Sequence, residues 1–249
     1  MKSILLFPFK IIQSALLLLW LICMGTLAVL MSFVFRSQRG GLWVVRNLYC
    51  RGFHIILGYT PTSSGLEQID TSKTYVFASN HESHLDTQSI FISYPKYLFF
   101  IAKKELKHVP VVGWVISAMG MIFIDRKNSE RAKESLAQAA EMIRQGKNVI
   151  SFPEGTRTKD GEIKQFKKGL FALAITAGVD VVPVAVSGAR EVMPAGSFKL
   201  KPGPIHVSFG APVDHTQFIG NPIAYSEAVR NEVLRMKAHW TARLPHLKP

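Results

Sequence analysis

Apolar positions along this chain fall into one long run near the N-terminus and a series of short runs farther on. Short apolar runs bounded by polar or turn-forming residues predict buried β-strands. Seven such strands are predicted, at residues 53–57, 75–79, 97–102, 121–124, 148–152, 181–186 and 206–209.

Helical patterns alternate with these strands. They predict helices over residues 83–93, 111–118, 129–145, 168–177 and 225–244, and Gly146 and Gly178 lie where two of the helices are expected to end. This alternation predicts an α/β domain over residues 59–249, with a central mixed sheet flanked by helices. In such folds, sites gather beyond the carboxyl ends of strands.

The long apolar run predicts a membrane-anchoring helical segment within residues 1–58. Residues 11–35 contain no charged side chain over 25 positions, and about 20 apolar residues are enough to cross the hydrocarbon core. The run is too long for a cleaved signal peptide and is followed at once by basic residues. Whether the segment spans the bilayer or dips into one leaflet stays open.

Basic residues around this segment predict its orientation. Lys2 and Lys10 precede the run, and a larger basic group follows it: Arg36, Arg39, Arg46 and Arg51. The positive-inside rule therefore predicts that the domain over residues 59–249 lies on the cytosolic face of the membrane. Residues 40–58 can add an amphipathic helix with Leu42, Val45 and Tyr49 on one face, which either lies among lipid headgroups or packs in a core.

The chain is strongly basic, with a net charge of +13 and a pI of about 9.9. Such a balance favours an anionic partner: nucleic acid, an anionic membrane surface or a phosphorylated substrate. The apolar N-terminus favours the membrane, and no arginine-rich helix or RNA-binding signature favours nucleic acid. The two cysteines, Cys23 and Cys50, indicate neither a disulfide framework nor a metal site.

A histidine and an aspartate follow the predicted strand 75–79. Transfer of an acyl group to an alcohol needs a base, and His81 has the side chain most often used near neutral pH. Asp86 can fix its tautomer and stabilise the imidazolium. Because residues five apart in a regular helix point about 140° apart, the two side chains can meet only if His81 precedes the helix.

Simpler interpretations of this stretch stay open. Ser83 and Asp86 match a capping-box spacing, a role that is compatible with catalysis. Glu82 is expected to be a solvated turn residue and His84 a surface or packing residue. His81, His84 and Asp86 can also be interpreted as metal ligands, although the other histidines form no second compact cluster.

Basic residues follow three other predicted strands. In the sequence from Phe152 to Arg157, Gly155 permits a tight turn and Arg157 offers a planar fork suited to phosphate. Lys103 and Lys104 follow strand 97–102, and Arg126 follows strand 121–124. Each alone is an ordinary surface charge, but together they predict an anion site near His81. The Val-Pro-Val sequence at 182–184 predicts an edge or bulged strand.

Four motifs in order resemble those of the glycerolipid acyltransferases typified by 1-acylglycerol-3-phosphate (lysophosphatidic acid) O-acyltransferases. They lie within residues 75–190: Asn-His-x4-Asp at 80–86, Lys103 to Asp125-Arg126 with Pro110 and Gly113 between, Phe-Pro-Glu-Gly-Thr-Arg at 152–157 and Val-Pro-Val at 182–184. Each motif alone is weak to moderate evidence, and the four together are highly specific.

The resemblance implies a role for each matching residue. His81 is the implied general base and Asp86 its orienting partner. The implied substrate-binding residues are Lys103, Lys104, Arg126, Glu154, Gly155, Thr156 and Arg157. It also implies direct attack of the lysophosphatidic acid sn-2 hydroxyl on an acyl-CoA or acyl-carrier-protein thioester, with phosphatidic acid as product and neither a metal nor another cofactor.

Two rival hypotheses belong to other functional classes. One is a metal-dependent hydrolase of a phosphoester or thioester that uses His81, His84 and Asp86 as ligands. The other is a catalytically silent membrane protein that binds anionic lipid through its basic surface. The full Glu154–Arg157 motif beside His81 and Asp86 argues against the silent protein, and metal analysis of the pure protein would distinguish the hydrolase from the acyltransferase.

Overall fold

The computed structural model describes residues 2–125, 129–196, 201 and 203–243. The chain forms two compact units. The first consists of Met1–Thr60 and Glu105–Met121, and the second of Pro61–Lys104 and Ile122–Pro249. The division into an anchor and a catalytic domain at residue 58 stays a prediction.

Helices and strands alternate through the described part of the chain. The α-helices are α1 (Lys2–Val34), α2 (Gln38–Val44), α3 (Arg51–Leu57), α4 (Leu85–Ser93), α5 (Val112–Ala118), α6 (Ser129–Arg144), α7 (Gly169–Ala177), α8 (Ala189–Val192) and α9 (Pro222–Arg243). A π-helical stretch, Val45–Cys50, joins α2 to α3, and short 3₁₀ helices lie at Leu66–Gln68, Lys104–His108 and His215–Phe218. The strands are β1 (Thr62–Ser64), β2 (Val76–Ser79), β3 (Leu98–Lys103), β4 (Ile122–Ile124), β5 (Asn148–Ser151), β6 (Val181–Ser187) and β7 (His206–Phe209).

The first unit is built around α1. Its stretch Ala15–Val34 has a mean hydropathy of 2.4 over 20 residues and is only 11% buried, so it is long and apolar enough to cross a membrane. The absence of a side chain at Gly41 lets α2 approach α1 closely, since a Cβ at this position would lie 2.8 Å from the carbonyl oxygen of Ala28. Trp20 Nε1 donates a hydrogen bond to the carbonyl of Tyr49 at 3.1 Å, which ties α1 to the π-helical stretch.

The predicted strand at residues 53–57 is wrong, because this segment is the helix α3. It continues the helical path of residues 38–50 and buries His54 and Leu57. A five-residue apolar run fits either a strand or one face of a helix, so its pattern alone does not distinguish them. The helical interpretation of residues 40–58 is confirmed, with Leu42 and Val45 buried.

The second unit contains a seven-stranded mixed sheet in the order β1-β7-β6-β2-β5-β3-β4. Neighbouring strands are parallel except for β6 and β7, which are antiparallel. The predicted central mixed sheet flanked by helices is therefore confirmed. Every residue of β2, β5, β6 and β7 is buried, as expected for strands covered on both faces.

The Val-Pro-Val strand β6 was expected to be an edge or bulged strand. It is not an edge strand, since it lies in the interior between β7 and β2, but it is bulged. On the β7 side, pairing of Val184 with Phe209 gives way to a bridge between Val181 and Val213. Between these two pairs, β6 contributes two residues (182 and 183), and the segment after β7 contributes three (210–212). This bulge accommodates Pro183, which has no N–H to donate.

Parallel pairing decides where the functional groups converge. Because β2, β3, β4 and β5 run in the same direction, their carboxyl ends meet at one edge of the sheet. The segments that leave this edge begin at residues 80, 104, 125 and 152. They carry the motif residues singled out in the sequence.

Candidate active site

His81 and Asp86 are in direct contact. His81 Nδ1 lies 2.8 Å from Asp86 Oδ2, and their side chains are 20% and 0% exposed. His81 lies in the segment between β2 and α4, and Asp86 lies in the first turn of α4. With Nδ1–H donated to the carboxylate, Nε2 keeps its lone pair and can accept a proton.

The start of α4 holds Asp86 in place. Its Oδ2 also accepts the backbone N–H groups of Glu82 at 2.7 Å and Ser83 at 2.8 Å. Ser83 Oγ accepts a hydrogen bond from the N–H of Leu85 at 3.1 Å and donates one to the carbonyl of Met193 at 2.6 Å. The capping contact and the contact with His81 therefore coexist on one carboxylate.

The segment after β5 holds the main chain of His81 on both sides. Glu154 Oε1 accepts the N–H of His81 at 2.8 Å, and the N–H of Thr158 donates to the carbonyl of His81 at 2.9 Å. The ring of Phe152 stacks on the imidazole with centroids 4.0 Å apart and planes 15° apart. The imidazole is thus fixed by its backbone, by one ring face and by Nδ1.

Glu154 is a buried brace between two loops. Only 4% of the residue is exposed, and its second oxygen accepts the N–H of Lys164 at 3.0 Å. Burial raises the pKa of its carboxyl, while the hydrogen bonds from the Lys164 and His81 backbones oppose that rise. Both oxygens are occupied by backbone donors, so Glu154 positions other groups.

Gly155, Thr156 and Arg157 form the turn beyond β5. The N–H of Gly155 donates to the carbonyl of Phe152 at 3.0 Å, and its φ of +80° is the left-handed conformation that glycine adopts without strain. Thr156 is exposed. Arg157 Nη1 contacts His84 Nε2, so the guanidinium lies beside the segment that joins His81 to Asp86.

His84 is partly exposed and lies against a cation. Burial lowers the pKa of its imidazole, and the charges of Arg157 and His81 lower it further. A neutral His84 accepts a hydrogen bond from Arg157. This contact does not favour His84 as a metal ligand beside His81, because a divalent cation there would face the guanidinium charge.

Lys103 is the last residue of β3, and Lys104 follows it at the same edge of the sheet. Lys103 is exposed, whereas Lys104 Nζ lies 3.2 Å from Asp125 Oδ2, after β4. Arg126 lies outside the described residues. The structure thus brings His81, Asp86 and Glu154 together through direct contacts, places Arg157 against His84 and pairs Lys104 with Asp125.

Glu82 was expected to be a solvated turn residue, and this expectation is wrong. It is 2% exposed and forms an ion pair with Lys237 of α9. Asn80 Nδ2 donates to Glu82 Oε1 at 3.1 Å. Burial lowers the pKa of Lys237 to about 8, which still leaves the ammonium mostly protonated at pH 7. Neither Lys237 nor the anchoring role of Asn80 was predicted.

Two other features of the second unit lie apart from His81. Within the described ranges, Asp180, Asp214 and His215 place possible metal-ligand atoms within 4.8 Å of one another, and His215 Nδ1 lies 2.7 Å from Asp180 Oδ1. A cavity of about 300 Å³ is lined by the ends of β1 and β7 and by α9, including Ser64, Ser208 and Trp240. Since β7 runs antiparallel to β6, these strands end at the opposite edge.

Comparisons with known proteins identify the family of this chain. The Acyltransferase family model matches residues 60–187. The chain is 33% identical over 225 residues to a 1-acyl-sn-glycerol-3-phosphate acyltransferase of Pseudomonas aeruginosa. The aligned region covers 88% of this chain and 83% of that protein. A chloroplastic 1-acyl-sn-glycerol-3-phosphate acyltransferase of Arabidopsis thaliana is 39% identical over 140 residues, covering 56% of this chain and 39% of the relative.

The chain spans about half or less of the length of several plant and algal relatives that it matches. The crystal structure of PlsC, the 1-acyl-sn-glycerophosphate acyltransferase of Thermotoga maritima, superposes with a TM-score of 0.82 at 26% identity and covers 97% of this chain and 98% of that one. On the family match and the Pseudomonas relative, this chain belongs to the acyltransferase family.

Proposed function

We propose that this chain transfers a fatty acyl group from an acyl-CoA or acyl-carrier-protein thioester to the sn-2 hydroxyl of 1-acyl-glycerol-3-phosphate, which gives phosphatidic acid. The observation that carries the proposal is the 2.8 Å contact between His81 Nδ1 and Asp86 Oδ2. This contact fixes the tautomer of the His81 imidazole, which can then act as a base and remains partly accessible to solvent. The names of the relatives support the choice of acceptor.

The reaction proceeds by direct transfer. His81 Nε2 takes the proton of the acceptor hydroxyl as its oxygen attacks the thioester carbonyl. The new C–O bond forms, the C–S bond breaks, and the departing thiolate recovers the proton from the imidazolium. Asp86 stabilises the imidazolium between these steps. The chain needs no covalent acyl-enzyme, metal or other cofactor for this sequence of steps.

Basic residues at the same sheet edge bind the acceptor phosphate. Arg157 offers a bidentate fork, and Lys103 and Lys104 add point charges. Arg126 belongs to this set by its sequence position. Holding the phosphate fixes the glycerol hydroxyl near His81, so binding energy remote from the reacting carbon is converted into rate. Glu154, Gly155 and Thr156 shape the turn that presents Arg157.

The first unit attaches the protein to a membrane. Ala15–Val34 supplies the apolar length, and Trp43 and Trp114 are 51% and 63% exposed, as is common for aromatic side chains at a membrane interface. The basic residues that follow α1 support a cytosolic position for the catalytic domain by the positive-inside rule. The membrane surface and lysophosphatidic acid are then the partners, and nucleic acid is not.

An acyl-transfer assay tests this proposal. Membranes containing the protein would receive lysophosphatidic acid or lysophosphatidylcholine, each with acyl-CoA or acyl-carrier protein, and control membranes would lack the protein. The expected result is phosphatidic acid formation from lysophosphatidic acid with at least one donor, and little transfer to the zwitterionic acceptor. Equal transfer to both acceptors, or none above the control, would contradict the proposal.

A further inference from the structure

A single lysine of the C-terminal helix joins the two loops that form the candidate active site. Lys237 of α9 makes an ion pair with Glu82 and donates a hydrogen bond to the carbonyl of Gly161 at 2.8 Å. Its side chain is 17% exposed and that of Glu82 is 2% exposed. Lys237 is 155 residues from Glu82 in sequence and lies in none of the four motifs.

The partners of Lys237 lead directly to His81. Glu82 follows His81, and its N–H donates to Asp86 Oδ2 at 2.7 Å. Gly161 donates its N–H to Thr158 Oγ1 at 3.2 Å, and the N–H of Thr158 holds the carbonyl of His81. These contacts form a closed ring that runs from His81 through Thr158, Gly161, Lys237 and Glu82 back to His81.

The other side of Glu82 is anchored to the sheet. Asn80 donates to Glu82 Oε1, and its side-chain amide also exchanges two hydrogen bonds with the main chain of Val186 in β6, at 2.9 and 2.8 Å. The Glu82 carboxylate therefore has one neutral partner and one charged partner. Because a buried charge without an opposite charge is strongly disfavoured, loss of the ammonium would force Glu82 to move or to take up a proton.

We propose that Lys237 is a positioning residue for the transfer reaction, which sets the His81–Asp86 contact by holding Glu82 and Gly161 together. It acts through these residues and does not touch the substrate. This inference rests on the proposed function for its kinetic readout, and on geometry alone for a second readout, the chemical reactivity of the His81 imidazole.

Three variants and one control separate positioning from general stability. Lys237→Met removes the ammonium and keeps most of the side-chain volume. Glu82→Gln removes the buried charge, and the double variant removes both partners, so that no buried carboxylate is left unpaired. Arg235→Met is the matched control, because it breaks the exposed ion pair with Glu232 on the same helix.

The kinetic arm measures kcat and KM below the melting temperature of every variant. Lys237→Met is expected to lower kcat by about tenfold or more with KM for lysophosphatidic acid within about threefold of the original protein. Adding Glu82→Gln to Lys237→Met is expected to recover part of the lost kcat, and Arg235→Met is expected to leave kcat unchanged. A Lys237→Met protein that melts at a lower temperature but keeps its kcat would overturn the proposal.

The second arm measures the rate at which diethyl pyrocarbonate modifies His81, followed by mass spectrometry of the His81 peptide. The rate is expected to change severalfold in Lys237→Met and to remain unchanged in Arg235→Met. An unchanged rate in Lys237→Met would overturn the positioning role. If the original protein transfers nothing to lysophosphatidic acid, the proposed function fails, and this labelling result still decides the inference.

Discussion

Glu154 holds the main chain of His81, since its Oε1 accepts the His81 N–H at 2.8 Å while its other oxygen holds Lys164. The carboxylate thus connects the Phe-Pro-Glu-Gly-Thr-Arg motif to the histidine motif across neighbouring strands β5 and β2. This contact gives a physical reason for a glutamate in a motif otherwise suited to phosphate binding.

Replacing Glu154 should impair transfer, although Glu154 is not itself a reacting group. Glu154→Ala leaves two part-buried N–H groups without their acceptor, at a cost of about 1–3 kcal/mol each, and releases the backbone of His81. We expect kcat to fall by roughly tenfold to a hundredfold. Steady-state kinetics measures the effect, and Glu162→Ala, which changes an exposed glutamate in the same segment, is the control. Equal rates for the two variants would contradict the bracing role.

Asp86→Asn should preserve the shape of the site and the tautomer of His81, but it removes the negative charge beside the imidazole. An amide oriented to accept from Glu82 and Ser83 still offers His81 an oxygen, but it stabilises the imidazolium poorly. We expect kcat to fall by about 10²–10⁴-fold, with little change in KM. The measurement is kcat at saturating acceptor and donor, with circular dichroism to verify the fold. Transfer within threefold of the original rate would argue against the pair.

Arg157→Ala should act on acceptor binding. Loss of the guanidinium removes a charge-assisted contact with the phosphate, so we expect KM for lysophosphatidic acid to rise about tenfold or more. KM for the thioester should stay nearly constant. Lys159→Ala, which removes an exposed basic side chain two positions away, is the comparison variant. If KM for the thioester rises instead, the phosphate assignment of Arg157 is wrong.

His206 should make stability depend on pH. The residue is 2% exposed, its ring stacks on Trp240, and its two nitrogens contact Thr62 and Ser64. Burial lowers its pKa to about 4, below the unfolded value of about 6.5. The unfolded chain therefore binds the extra proton first, and stability falls as pH drops from about 6.5 to about 4, by up to about 3 kcal/mol.

Melting temperatures between pH 7.5 and pH 4 measure this effect. His206→Gln cannot take up that proton, so its melting temperature should decline less steeply over this interval than that of the original protein. His239→Gln replaces an exposed histidine of α9 and should follow the original curve. Parallel curves for His206→Gln and the original protein would contradict the assignment.

The strands of the interior sheet could be predicted from sequence because they are buried on both faces and therefore appear as short apolar runs. β1 could not, since Thr62–Ser64 is a short polar edge strand without alternation. The His81–Asp86 contact could be predicted, because His81 was expected to lie in the turn before the helix, and from there its side chain can reach Asp86. The burial of Glu82 could not be foreseen, because its partner Lys237 is 155 residues away and lies in no motif.

The basic residues of the proposed phosphate site show a similar limit. Sequence placed Lys104 beyond a strand end, and it does lie there. Its pairing with Asp125 depends on β3 and β4 being neighbours, and strand order is not encoded in a local pattern. The contact between Arg157 and His84 likewise arises because β2 and β5 are adjacent.

The most direct test of the account is the transfer rate of His81→Gln in membranes that contain equal amounts of protein. Glutamine can still hydrogen-bond to Asp86 but cannot serve as a base near neutral pH. We expect phosphatidic acid formation to fall by at least about 10²-fold while membrane association is unchanged. A His81→Gln protein that retains transfer within threefold of the original rate would contradict it.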